Sequence, residues 1–174
     1  APYSVELNEG VPTLAEMTQG ALNVLDADED GFVLMVEGGA VDWAGHGNNT
    51  ARMIEEQIDF NDAVEAVAHW VDANSSWDDT LLIVTGDHEC GYLTGPECDP
   101  DASKWDPVPA SPAGHVPEVA WHSGGHTNML IPLFARGPLA DQIAARATKQ
   151  DPRRGPYLDN TDLARTIIDA FRRQ

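Results

Sequence analysis

The chain has 174 residues, enough for one domain with a real core, and its 42% apolar and 7% aromatic content marks it as globular rather than disordered. Its 29 acidic against 10 basic residues leave a net charge of −19, a field that repels nucleic acid and anionic membranes and argues against both as partners. No run reaches the apolar length that a bilayer-spanning helix needs.

The N-terminus, Ala1-Pro2-Tyr3-Ser4, has no basic patch followed by an apolar block, so a signal peptide is absent or already removed. Pro12 to Leu25 reads as a helix, with proline at its start and Leu14, Met17, Ala21 and Leu25 at helical spacing. Asp26 to Gly31 is an acidic, solvated turn; it lacks the spacing and closing glutamate of a calcium loop. Phe32 to Val36 is a continuous apolar run, as expected for a central strand covered on both faces. Asn48-Asn49-Thr50 offers cap side chains for a long helix from about Ala51 to Asn74, whose stripe is Ile54, Ile58, Val64, Val67, Ala68 and Val71. His69 lies in that helix without ligand-type neighbours. Thr80 to Thr85 is a second buried strand, and strand–helix–strand predicts a right-handed βαβ unit with a parallel sheet.

From about residue 96 to 120 the chain is rich in proline and polar side chains, which predicts an irregular excursion from a single domain over 1–174. Met129 to Phe134 reads as a third strand, with Pro132 marking an edge or a bulge. Leu139 to Ala147 reads as a short helix and Asp151 to Pro156 as a turn. Asn160 or Thr161 caps a last helix with Leu163, Ile167, Ile168 and Phe171 as its buried stripe, and Arg172 and Arg173 at its negative end.

The chemistry gathers in three places: Glu37-Gly38-Gly39-Ala40-Val41-Asp42-Trp43-Ala44-Gly45-His46, Thr85-Gly86-Asp87-His88-Glu89, and Ser123-Gly124-Gly125-His126-Thr127-Asn128. In parallel sheets ligands collect beyond the carboxyl ends of strands, where Glu37 and Asp87-His88 both fall. Mixed histidine and carboxylate suits zinc, and carboxylate alone suits magnesium. Two ions about 4 Å apart would clamp the attacking and leaving oxygens of phosphoryl transfer. They would also reverse the local sign of so acidic a protein and admit a phosphate. Taken singly, Asp42 with His46 reads more readily as a helix-end pair without metal, and Asp87-His88 as a turn cap. Three such pairs on one sheet edge favour a metal centre. The acidity itself fits a salt-adapted source and an ordinary extracytoplasmic protein alike. Cys90 and Cys98 are compatible with a disulfide, with free thiols, or with Cys90 as a metal ligand; a disulfide would suit an oxidising compartment.

The segment Glu37 to His46 resembles the metal-binding segment of the alkaline phosphatase family, spacing included. Thr85-Gly86-Asp87-His88 resembles that family's aspartate–histidine pair, and Gly125-His126-Thr127 its final histidine. The resemblance implies a three-layer α/β/α fold with a mostly parallel sheet. It implies two zinc ions and one magnesium: Asp42, His46 and His126 on the first zinc, Asp87 and His88 on the second, Glu37 on the magnesium. It implies hydrolysis of phosphate monoesters through a phosphoserine intermediate, in a periplasmic or secreted homodimer. The nucleophilic serine and the phosphate-binding arginine have no match here. Ser4, Ser75, Ser76, Ser103, Ser111 and Ser123 lack the family's Asp-Ser-Ala context, and Arg52 and Arg136 do not fall at the family's arginine position. The chain therefore looks like the C-terminal half of such an enzyme, its partner being the N-terminal half. An inactive zinc-binding fragment, and a diesterase or sulfatase of the same superfamily, are the competing readings. Trp43 stands where well-known members carry lysine or histidine; it and His122 are candidates for contact with the site from outside the ligand shell. His115 and His122 flank the excursion and the last ligand, and His122 reads more readily as a solvent-exposed histidine than as a contact of the site.

Overall fold

The computed structural model of the chain describes residues 10–172; the N-terminal stretch Ala1 to Ser4 and Arg173 lie outside the described residues. The fold gathers into two compact units. Of the described residues, those up to His69 together with His88–Asn128 form one, and Trp70–Asp87 together with those from Met129 onward form the other. Among the described residues no helix is long and apolar enough to cross a membrane.

The first unit opens with α1, Leu14–Leu25. Thr13 caps it: its hydroxyl accepts from the Glu16 N–H at 3.1 Å, and the Glu16 carboxylate accepts from the Thr13 N–H at 2.8 Å. The buried face is centred on Thr18 and Leu22, one residue round from the anticipated stripe, and Met17 is exposed. Thr18 can be buried because its hydroxyl donates to the Leu14 carbonyl at 2.7 Å.

Residues 32–36 do not form a strand. Val33 and Met35 are 77% and 85% exposed. A strand exists only where its N–H and C=O groups find a ladder partner, and among the described residues Val33–Val36 belongs to no ladder. The predicted parallel βαβ unit is therefore not formed. Instead the chain enters α2, Gly39–His46, and then α3, Thr50–Asn74. α3 buries Ala63, Ala66 and Val71, while Ile58, anticipated in the stripe, is exposed.

Two short antiparallel ladders complete the first unit. β2, Glu89–Cys90, pairs with β5, His126–Thr127; β3, Leu93–Thr94, pairs with β4, Ala120–Trp121. Residues 95–119 between them carry turns and one isolated bridge, Asp99 to Lys104.

The second unit is built on the ladder of β1, Leu82–Thr85, with β6, Leu133–Arg136, in the register Leu82↔Arg136 to Thr85↔Leu133. It is antiparallel, where a parallel sheet was expected. β6 begins after Pro132, which cannot donate to a ladder; the Thr85 hydroxyl reaches the Pro132 carbonyl at 3.0 Å. α4, Ala140–Ala145, buries Ile143. The predicted turn at 151–156 is a hairpin of β7, Lys149–Asp151, and β8, Gly155–Tyr157. α5, Asn160–Phe171, is capped by Asp159 and buries Thr166, whose hydroxyl bonds the Asp162 carbonyl at 2.9 Å; Ile168 and Phe171 are exposed.

Candidate metal centre

The two termini of α2 carry the first pair of ligand-type side chains. Asp42 and His46, four residues apart on a helix, lie on one face, and His46 Nε2 stands 3.4 Å from Asp42 Oδ2. Asp42 sits in the first turn, where the helix dipole favours its negative charge, and His46 in the last.

The glycine-bearing turn Ser123–Gly125 docks on this helix end. His46 Nδ1 lies 2.8 Å from the Gly124 carbonyl. A carbonyl can only accept, so Nδ1 carries the proton and Nε2 of the neutral ring keeps its lone pair. That lone pair faces Asp42 and His126. With its amide turned so that the nitrogen faces them, Asn48, at φ +49, donates to the carbonyls of Ser123 and Gly45, at 2.8 and 3.0 Å, and fastens the turn to the helix. Gly91 receives the N–H groups of His122 and Ser123 at 3.2 and 3.1 Å, which sets β5 beside β2.

These contacts bring His126 to α2. Its Nε2 is 3.1 Å from His46 Nε2 and 3.2 Å from Asp42 Oδ1. Asp42 Oδ1 is buried and accepts no hydrogen bond of sound geometry. An orphaned carboxylate oxygen between two imidazole nitrogens, at the lip of a half-exposed site, is the donor chemistry of a divalent transition metal. The residues present fit zinc.

Cys90 belongs to the same group. One ligand atom each from Asp42, His46, Cys90 and His126 lies within 4.8 Å of all the others. Burial, then its contact with the Asp42 carboxylate, pushes the Cys90 thiol up to about 11. Cys90 and Cys98 are unbridged. Sequence reasoning left Cys90 as one of three alternatives. The signal was its place two residues after His88, which in extended chain shares His88's face.

His88 stacks on His126 with ring centroids 3.5 Å apart, and its Nδ1 is 4.0 Å from Asp42 Oδ1. Asp87 is exposed and belongs to the second unit. Glu37 is exposed and stands outside the ligand group. Trp43 points outward at 74% exposure. His122 turns to buried Thr94: the Thr94 hydroxyl gives its hydrogen to the Gly95 carbonyl, so it accepts from His122 Nε2 at 2.8 Å. Its ring also leans on Tyr92.

Comparison with known proteins agrees with this chemistry. The alkaline phosphatase family model matches residues 1–115. Alkaline phosphatase 3 of Bacillus subtilis is 24% identical over 98% of this chain and 46% of its own length. A cold-active alkaline phosphatase of a psychrophilic Shewanella superposes with a TM-score of 0.68 at 24% identity, over 94% of this chain and 51% of that one. A mutant of the alkaline phosphatase from the Antarctic bacterium TAB5, solved with magnesium bound, is 30% identical with a TM-score of 0.56, over 74% of this chain and 36% of that one. The chain thus spans about half the length, or less, of the relatives it matches. It belongs to the alkaline phosphatase family.

Proposed function

We propose that this chain carries the metal-holding side of a phosphate monoester hydrolase. The observation that supports it most is the convergence of Asp42, His46 and His126 on one point, with Asp42 Oδ1 buried and lacking a hydrogen bond. On this reading Asp42, His46 and His126 hold the first zinc, Asp87 and His88 the second, and Glu37 helps to bind magnesium. Bound there, the ions would supply Lewis acidity and positive charge where negative charge develops in phosphoryl transfer.

The chain's own groups do the rest. The Gly124 carbonyl holds the His46 tautomer, so that a lone pair and not a proton faces the centre. Asp42 spreads its charge across both imidazoles. The serine nucleophile of a phosphoserine route, and an arginine to hold the phosphate, come on this reading from an N-terminal half. In the whole protein Phe32–Val36 would then find a neighbouring strand and enter a parallel three-layer sheet. The intact protein would work as a periplasmic or secreted homodimer. The second reading is a chain that binds zinc and turns nothing over; the lack of any serine in an Asp-Ser-Ala context favours it for the chain taken alone.

The test is metal binding with thermal unfolding. Zinc at a hundredfold excess over its dissociation constant should stabilise the chain by about 2.7 kcal/mol. About one tight zinc per chain is expected, and His126→Ala should abolish both effects. Zinc that is not retained, or retention indifferent to His126→Ala, would refute the centre.

A further inference from the structure

The cluster at the lip of α2 has a member that the functional reading does not use. We infer that Cys90 is a fourth protein ligand of the first metal ion, so that the centre in this chain is an Asp–His–His–Cys set; this rests on the metal-site reading above. The Cys90 sulfur lies among the other three donors, with all four ligand atoms mutually within 4.8 Å. The β2–β5 register sets Cys90 directly opposite His126, which puts both side chains on the same face of the ladder.

Gly45, one residue before His46, makes the approach possible. A Cβ there would stand 3.1 Å from Cys90 Cβ and 3.2 Å from its Sγ. The bare helix surface lets the thiol come down beside the imidazole that follows.

Two nitrogens, one carboxylate oxygen and one sulfur would be a donor set of the kind that holds zinc, with Asp42, His46, His126 and Cys90 each supplying one atom. The thiol enters as thiolate: the S–H bond breaks as the S–metal bond forms, and the proton leaves to solvent. A soft donor tilts the centre toward zinc, cobalt and cadmium and away from magnesium. A fourth protein donor would also leave the ion less open to an incoming phosphate oxygen than three donors would.

The competing account is that the thiol only hydrogen-bonds the Asp42 carboxylate. Cobalt(II) titration of the 174-residue chain separates the two. The wild type should show the near-ultraviolet thiolate-to-cobalt charge-transfer band together with the visible bands of tetrahedral cobalt. Cys90→Ser should lose the charge-transfer band and bind cobalt at least about tenfold more weakly, on the scale set by perturbing a ligand shell. Cys98→Ser should change neither. In the unmutated protein, zinc should slow alkylation of Cys90 by about tenfold or more relative to Cys98, because a coordinated sulfur is no free nucleophile. Cobalt bound without the charge-transfer band, or a band that survives Cys90→Ser, overturns the ligand role of Cys90 and leaves the triad standing. Cobalt binding unchanged in His126→Ala overturns the whole centre.

Discussion

Phe32–Val36 and Leu82–Thr85 are both unbroken apolar runs that lead into an acidic, glycine-containing turn, yet only the second is a strand. Leu82–Thr85 has Leu133–Arg136 beside it, residue for residue, and its side chains are half-buried up to Val84. Val33–Val36 belongs to no strand ladder among the described residues, and Val33 and Met35 face solvent. The difference is one of pairing and not of composition. Apolar and β-branched residues make a segment fit for a pleated, covered surface. Its backbone groups become a strand only when another backbone answers them.

The largest effect should come from breaking the end of the paired ladder. Gly137 follows β6 at φ +104, and a Cβ there would stand 1.9 Å from the Thr80 carbonyl oxygen. Gly137→Val meets both a left-handed backbone and a backbone clash that no rotamer relieves. We expect a loss of about 3 kcal/mol or more, read by urea unfolding. An unchanged midpoint would mean that the ladder does not govern the stability of its unit.

A matched pair of truncations sharpens the contrast directly. Ile83→Ala removes a half-buried side chain from β1 and should cost about 1–2 kcal/mol, below the range for fully buried sites. Met35→Ala removes a side chain of similar size but one already in water, and should stay within about 0.5 kcal/mol. Equal losses at the two positions would erase the distinction. If the 174-residue chain is extended to supply a strand beside Phe32–Val36, the Met35 variant should begin to cost as the Ile83 variant does.

The same contrast explains what could be read from the sequence. The long helix was legible within one residue at its N-terminal end, because helical hydrogen bonds are local and Asn49 and Thr50 mark the start. The candidate pair Asp42 and His46 was legible because its spacing is local: the two need only one helical turn between them. Strand direction was not legible, since antiparallel pairing of β1 with β6 depends on residues some fifty positions apart. The buried faces of α1 and α5 were misplaced for a different reason. Thr18 and Thr166 sit at their centres, and a threonine can be buried there only because its hydroxyl bonds the helix backbone four residues back. Apolar periodicity alone does not count such residues. Cys90 needed the β2–β5 register before its distance from Asp42, His46 and His126 had any meaning.

The smallest effect expected lies in the second unit, where a local device rather than a distant pairing fixes an element. Asp159 caps α5: its carboxylate accepts the Thr161 backbone N–H at 3.1 Å and the Thr161 hydroxyl at 2.9 Å, and pairs with Lys149 at 3.3 Å. These contacts, led by the backbone N–H, hold its carboxyl below the ordinary value of 3.8. A carboxylate held low in the folded state contributes stability above the unfolded value, and that contribution fades as pH falls through the folded one. Asp159→Asn keeps an acceptor oxygen for the cap but has no charge to lose. The stability gap between wild type and Asp159→Asn should therefore be steady near neutrality and close as pH drops from about 5 towards the folded value. Circular dichroism of thermal unfolding across that range reads it. A gap that stays constant to the lowest pH would show that the charge of Asp159 takes no part in holding α5.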